Sequence, residues 1–330
     1  MSVKAGALRF NTDSLKLELY DGNQWVEIVA SSPEAQTGGA RGLFGGGVIN
    51  TPTATATNTI EYVTISTTGN SLDFGDLLNS TNAPSSCSSS TRGLWGGGLA
   101  PGAINNINYV TIASTGNAQN FGDLTIARWY SFACSSSTRG VFGGGETPTY
   151  LNVIDYVTIA STGDAKDFGD LTETKSQHSA CSSSTRGLFG GGLTPSLVNT
   201  INFITISTLG NAADFGDLSV ARRAFTACSN STRGIFGGGQ DSGLLNVVDY
   251  ITIATLGNAI DFGDLTAARI YPAACSSPTR GIFGGGRSPT DVNTIDYVTI
   301  MSTGNAIDFG DLISATGYNR LACSNGHGGL

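Results

Sequence analysis

Charge is scarce in this chain. Asp, Glu, Lys and Arg make up 13 % of its 330 residues, 25 acidic against 17 basic, which argues against nucleic-acid binding through a broad phosphate-neutralising surface. No apolar run approaches the ~18 residues a membrane-spanning helix needs. The first ten residues carry one Lys and no apolar core of a secretory signal, which predicts a chain without a leader. Only two His occur, His178 and His327. The strings Gly-x-Ser-x-Gly, His-Glu-x-x-His, zinc-type Cys pairs and the phosphate loop are missing. These absences predict no catalytic centre, no metal and no cofactor.

Gly, by contrast, is abundant: 46 of 330 residues, about twice the usual ~7 %. The glycines are periodic. Arg-Gly-x-aromatic-Gly-Gly-Gly begins at Arg41, Arg92, Arg139, Arg186, Arg233 and Arg280, and Phe-Gly-Asp-Leu places its Asp at 76, 123, 170, 217, 264 and 311. The Asp step is a constant 47, whereas the first Arg step is 51, so four extra residues lengthen the loop at 48–59. A fixed period of roughly 20–50 residues marks a solenoid, a propeller or an array. One unit read from Ile270 contains four β-type segments, 270–276, 280–286, 293–300 and 306–312, with Gly304-Asn305 as a hairpin turn and no helical period. Four strands repeated six times predict an all-β fold, a six-bladed β-propeller over 36–330. The segment Leu321–Asn325 is a lone first strand and is expected to complete the blade begun at Gly39–Gly47. Residues 1–35 read as a separate β module, with Asp21-Gly22-Asn23 turning between Leu17–Tyr20 and Trp25–Ile28.

The unit resembles a kelch-type repeat in Gly284–Gly286, Tyr297, Phe309 with Leu312, and Arg269 before Ala273-Ala274-Cys275, although Phe-Gly-Asp stands where kelch repeats carry Trp. The strings Arg-Gly-x-Phe-Gly-Gly-Gly, Asn-x-Ile-Asp-Tyr-x-Thr-Ile and Asp-Phe-Gly-Asp-Leu are similar to those of structural proteins of marine tailed bacteriophages. Gly6–Asp13 and Lys16–Trp25 resemble a short β module of phage tail-fibre and virion proteins. These resemblances imply a virion component, assembled in the bacterial cytoplasm, with the N-terminal module docking on other virion proteins and the chain forming a homo-oligomer or not.

One Cys recurs per unit, at 87, 134, 181, 228, 275 and 323. Equivalent positions in separate blades are too far apart for disulfides, which predicts buried free thiols. The repeated Arg of Arg-Gly and Asp of Phe-Gly-Asp are expected to be structural, pairing with each other or bonding turn amides. In an up-and-down blade the connection from strand two to three and the link to the next blade emerge on one face, and these are the two variable segments. The links are rich in aromatic and basic residues: Trp129, Tyr130 and Phe132; Lys175 and His178; Arg222, Arg223 and Phe225; Arg269 and Tyr271; Tyr318 and Arg320. Such a face suits a host-surface glycan, an acidic one in particular, or a protein receptor. The opposite face carries uniform Ser-Ser-Thr turns, with Ser88 and Ser135 expected to be exposed. Two other roles stay open, a capsid-decoration or tail-assembly subunit and, from Glu146, Glu173, Asp241 and Asp291, a glycan-cleaving enzyme needing two carboxylates ~5–9.5 Å apart.

Overall fold

A computed structural model describes residues 4, 6–11, 16–27, 40–50 and 53–330. Among these residues every regular element is a β-strand. Contacts divide the chain into Met1–Gly39 and Ala40–Leu330. The first unit is an antiparallel meander of β1 (Leu8–Asn11), β2 (Lys16–Tyr20) and β3 (Trp25–Glu27); Ile28, expected to end the third strand, lies outside the described residues. Its turn is built by Asp21, whose carboxylate accepts the N–H groups of Asn23 and Gln24 at 2.7 and 2.8 Å. Those two bonds, Gln24 first, hold the Asp21 carboxyl below its ordinary pKa. Leu8, Leu19 and Val26 lie opposite one another across the three strands and are exposed.

The second unit consists of four-stranded antiparallel sheets arranged as blade-like units, each made from one repeat. They are numbered 1 to 6 here by the Arg-Gly strand they contain, from Arg41 to Arg280. Sheet 2 shows the order: Ser85–Ser88 innermost, then Arg92–Gly96, Asn106–Thr111 and Gln119–Asp123 at the outer edge. Sheet 1 joins the two ends of the unit, with Leu321–Ser324 paired to Arg41–Gly45 in the register Cys323 opposite Leu43. Each innermost strand packs against two others, and these contacts run in a closed cycle through all six.

The core lies between sheets. Six apolar clusters occur, one per junction, each mixing residues of two neighbours, such as Phe44 and Val63 of sheet 1 with Ile282 and Phe309 of sheet 6. Both faces of the second strands are therefore covered and those strands are buried almost continuously, whereas the Ile-x-Tyr-x-Thr strands keep their Tyr half-buried and, in sheets 2 and 3, their last Thr exposed. Close approach also dictates the Gly positions. A Cβ on Gly45 would come within 2.9 Å of the Trp95 indole of the next sheet, and one on Gly140 within 2.7 Å of Cys87 Sγ.

Three sets of hydrogen bonds cross every junction. At the centre, each Ser following the Cys donates its hydroxyl to the carbonyl of the equivalent Ser in the preceding sheet: Ser135 to Ser88 (2.7 Å), Ser182 to Ser135 (2.8 Å), Ser229 to Ser182 (2.7 Å), Ser276 to Ser229 (2.7 Å), Ser324 to Ser276 (2.6 Å) and Ser88 to Ser324 (2.7 Å). This belt corrects the expectation that Ser88 and Ser135 are exposed, since each is 1 % accessible. Further out, each Arg of Arg-Gly lies over the Tyr or Phe of its own third strand and donates to a carbonyl of the next sheet, as Arg92 does over Tyr109 and to Ile159 O at 2.9 Å. These arginines do not pair with the Asp of Phe-Gly-Asp. At the rim that Asp contributes its backbone: Asp76 N–H donates to Asn117 Oδ1 of the next Gly-Asn turn at 3.0 Å, and Asp311 N–H closes the cycle on Asn70. A Cβ on Gly75, at φ +143°, would stand 2.5 Å from Gly116 O, so the rim contact requires Gly.

Candidate functional site

The second-to-third-strand connections and the links between sheets are hydrogen-bonded to each other, as in the bridges Asn82 to Leu99, Trp129 to Glu146 and Arg223 to Gln240. Both variable series thus share one end of the sheets, here called the variable end.

Beneath that end lie buried ion pairs. Arg128 meets Asp155 at 2.8 Å, Arg222 meets Asp249 at 3.0 Å, Arg320 meets Glu61 at 2.9 Å, and Arg269 meets Asp296. Each carboxylate also binds the preceding sheet, for instance through Thr125 Oγ1 to Asp155 at 2.6 Å and Ser219 Oγ to Asp249 at 2.6 Å. Burial alone would raise the Glu61 pKa, but Arg320, Ser71 and the Ile313 N–H together hold it below the ordinary value. The sheets without such an arginine lack the acid as well. Thr81 and Asn108 occupy the equivalent positions in sheet 2, and in sheet 4 Asn202 replaces the acid while Lys175 turns to Glu173 at 3.3 Å.

This network reassigns half of the expected contact residues. Lys175, His178, Arg222, Phe225, Arg269 and Arg320 are all buried. Apart from Phe225 and His178 they hold internal ion pairs. Phe225 packs in the junction of sheets 4 and 5. His178 is wedged between Phe132 and Phe189, at ring distances of 5.3 and 5.9 Å. Its burial, with the nearby charges of Lys175 and Arg128, pushes its pKa well below the usual value and keeps the ring neutral. Phe132 belongs to an innermost strand. The reason is common to all seven: the link dives inward between sheets before its strand begins, so aromatic and basic side chains there serve junctions.

Trp129, Tyr130, Arg223, Tyr271 and Tyr318 remain half-exposed at the variable end. Tyr130 and Tyr271, from opposite sheets 3 and 6, stack at 6.2 Å with planes 19° apart, and Tyr318 meets Tyr271 edge-on at 5.4 Å. These rings cover the axis between the innermost strands. Six equivalent residues at this level, Ala83, Tyr130, Gln177, Ala224, Tyr271 and Asn319, adopt φ between 52° and 56°. None is Gly, although Gly is the residue this conformation favours and the chain has many.

Beside the tyrosines opens a groove of about 840 Å³. One wall is the lengthened connection through Asn50 and Thr55, the other the Leu99–Pro101 segment, with Asn79 and Asn82 between them. Among its described lining residues none is Lys, Arg, Asp or Glu. Asn319 lies in the floor, 5 % exposed; its amide nitrogen reaches Asn82 Oδ1 at 2.8 Å and the Tyr130 hydroxyl at 3.3 Å, while its Oδ1 has no partner. Sequence reasoning missed Asn50, Asn79, Asn82, Leu99 and Asn319. The extra four residues at 48–59 were the available signal, because they break the repeat where the groove lies.

The other end of the axis is closed by the C-terminal segment. His327 Nε2 donates to Ser88 O at 2.9 Å, its Nδ1 accepts the Gly329 N–H at 3.0 Å, and Gly328 N–H donates to Ser229 O at 2.8 Å. Between the two closures is a cavity of about 60 Å³ lined by the innermost strands. The six Cys are free and buried, and burial pushes the thiols of Cys134, Cys228 and Cys323 up to about 12. Among the described residues no cluster of three or more His, Cys, Asp or Glu is placed to hold a metal ion. The carboxylates considered for glycan cleavage are engaged locally: Glu146 with Ser176, Glu173 with Thr200 and Lys175, Asp241 with the Gly243 N–H and Asp291 with Asn50.

No protein-family model matches the chain, and no curated protein is significantly similar to it.

Proposed function

We propose that this chain is a non-enzymatic bacteriophage virion protein, a six-bladed kelch-like β-propeller whose variable end faces a host-surface ligand and whose N-terminal module docks on other virion proteins. The observation that carries the reading is the division of labour along the axis. Three sets of cross-junction bonds recur at every junction, whereas length changes only at the end that holds the tyrosines and the groove, and composition changes most there. A scaffold held constant beneath a diversified end is the pattern of a recognition protein. The acidic-ligand version is weakened by the burial of Lys175, Arg222, Arg269 and Arg320.

A purely structural role is the second reading, favoured by a different surface. Leu72, Ile260 and Ile307, at the outer edges of sheets 1, 5 and 6, are 58–59 % exposed, where sheets 2 to 4 carry Gln119, Lys166 and Ala213. An apolar arc on one side of a ring suits contact with a neighbouring subunit in an assembly. Immunolabelling of purified virions, followed by adsorption assays with antibody against the variable end, tests both. A labelled particle whose adsorption is blocked supports host recognition. A labelled particle that adsorbs normally supports the structural role, and an unlabelled particle refutes the virion assignment.

A further inference from the structure

Building on the recognition reading, we infer that the groove at the variable end binds an uncharged oligosaccharide chain. The chemistry of the lining is the ground for this. Tyr130, Tyr271 and Tyr318 offer aromatic surface at one side of the groove, and rings of this kind pack on the C–H-rich faces of pyranoses. The polar groups beside them are amides and hydroxyls: Asn79, Ser80, Asn82 and Asn319. A sugar hydroxyl is donor and acceptor at once, and so are an amide and a hydroxyl side chain, whereas Lys, Arg and carboxylates offer only one of the two. The volume of about 840 Å³ is within the range of ligand pockets, roughly 300–1,000 Å³.

Two further features point to a ligand. Asn319 Oδ1 is buried in the groove floor with no hydrogen-bond partner, an arrangement that costs free energy until a donor arrives. A ligand hydroxyl becomes such a donor when the Asn319 amide turns toward the groove, since its Oδ1 is closed to solvent in this arrangement. Of the six left-handed backbone positions at this level, four carry Tyr130, Gln177, Tyr271 and Asn319 and two carry Ala, and the two tyrosines in particular are held against the conformational preference for Gly. An anionic glycan is disfavoured because no lining residue is a cation and the chain carries a net charge of −8; the guanidinium of Arg287, beside the groove, is engaged by the Tyr318 hydroxyl at 2.6 Å and by Pro289 O at 2.7 Å.

The test is binding of the full chain to an array of uncharged and anionic bacterial oligosaccharides, with and without 1 M NaCl. Three proteins are compared: wild type, Tyr130→Ala with Tyr271→Ala, and Ala100→Trp, which puts bulk into the groove from the Leu99–Pro101 wall. The alanine variant is compatible with the fold because Ala83 and Ala224 occupy equivalent positions with the same backbone conformation. The expected result is binding to uncharged glycans that survives salt and falls at least tenfold in both variants, with unchanged melting temperatures. Binding confined to anionic glycans and abolished by salt would overturn the ligand class but leave host recognition standing. Uncharged glycans that bind all three proteins equally would overturn the groove as the site, and an array without any bound glycan would overturn the inference. Loss of the recognition reading itself would show instead in the adsorption assay.

Discussion

The comparison of ion-paired and neutral sheets yields a sharp energetic prediction. In sheet 5, Arg222 and Asp249 are both fully buried at 3.0 Å, and the same guanidinium donates to Phe236 O at 3.1 Å. Replacing Arg222 by Thr strands a buried carboxylate that keeps only Ser219 as a close partner. Replacing Asp249 by Asn strands a guanidinium, and breaking a buried pair from either side typically costs about 3–5 kcal/mol. Sheet 2 already folds with Thr81 and Asn108 at these positions. The double variant Arg222→Thr, Asp249→Asn therefore carries no stranded charge, and its cost is what remains after the charges are gone. That remainder consists of lost hydrogen bonds and of the space left by the Arg222 stem, together about 2–4 kcal/mol. Singles summing to about 6–10 kcal/mol against such a double give a coupling of at least about 2 kcal/mol. Urea denaturation followed by Trp fluorescence measures all four corners of the cycle, and urea is chosen because it does not screen charge. Additive costs, within about 0.5 kcal/mol, would refute the claim that the acid is present only because the arginine is.

The histidine in the junction of sheets 3 and 4 makes stability depend on pH. His178 has its pKa depressed by burial and by Lys175 and Arg128, so the unfolded chain takes up a proton near pH 6.5 that the folded chain refuses, and its contribution is full above that pH and is lost as pH falls below it, by up to about 1.4 kcal/mol per unit. His178→Phe, copying Phe225 of the next repeat, is expected to flatten the fall in melting temperature between pH 6.5 and 5; an unchanged slope would show that His327, also depressed by burial, carries it. The central belt predicts that Ser182→Ala lowers stability by about 1–3 kcal/mol in thermal unfolding, because it removes the donor to Ser135 O and the acceptor of the Ser135 N–H while both stay buried. A loss under 0.5 kcal/mol would show that the belt is not under load.

Much of the architecture was legible because it is periodic. The Gly triplets, the Ile-x-Tyr strands and the constant step of 47 announced four-stranded units, and the lone strand at 321–325 announced how the ends pair. The site was less legible. Arg222 and Trp129 look alike to composition, as polar or aromatic residues in variable links, yet one is sealed in a junction and the other lies half-exposed. What separates them is a partner elsewhere in the repeat. The acid at 61, 155, 249 and 296 changes to Asn at 108 and 202 in step with the loss of the arginine, and that coupling, visible among six internal copies, was the unused signal. Asn319 carried no sequence signal, since its role comes from a backbone conformation and from neighbours contributed by distant repeats.

The cross-junction bonds also bear on how such a gene can change. Near-identical tandem units invite recombination that adds or deletes a copy, and in an open solenoid such events merely alter length. Here the serine belt, the arginine staples and the rim contacts each return to their starting sheet, as Ser88 to Ser324, Arg280 to Ile65 and Asp311 to Asn70. A gained or lost unit would have to re-form all three between every pair of neighbours at a changed angle, or leave buried donors and acceptors unpaired. Copy number is thereby locked while the connections at one end stay free to drift, so diversification is channelled into loop sequence and loop length, of which the extended connection at 48–59 is the instance this chain preserves.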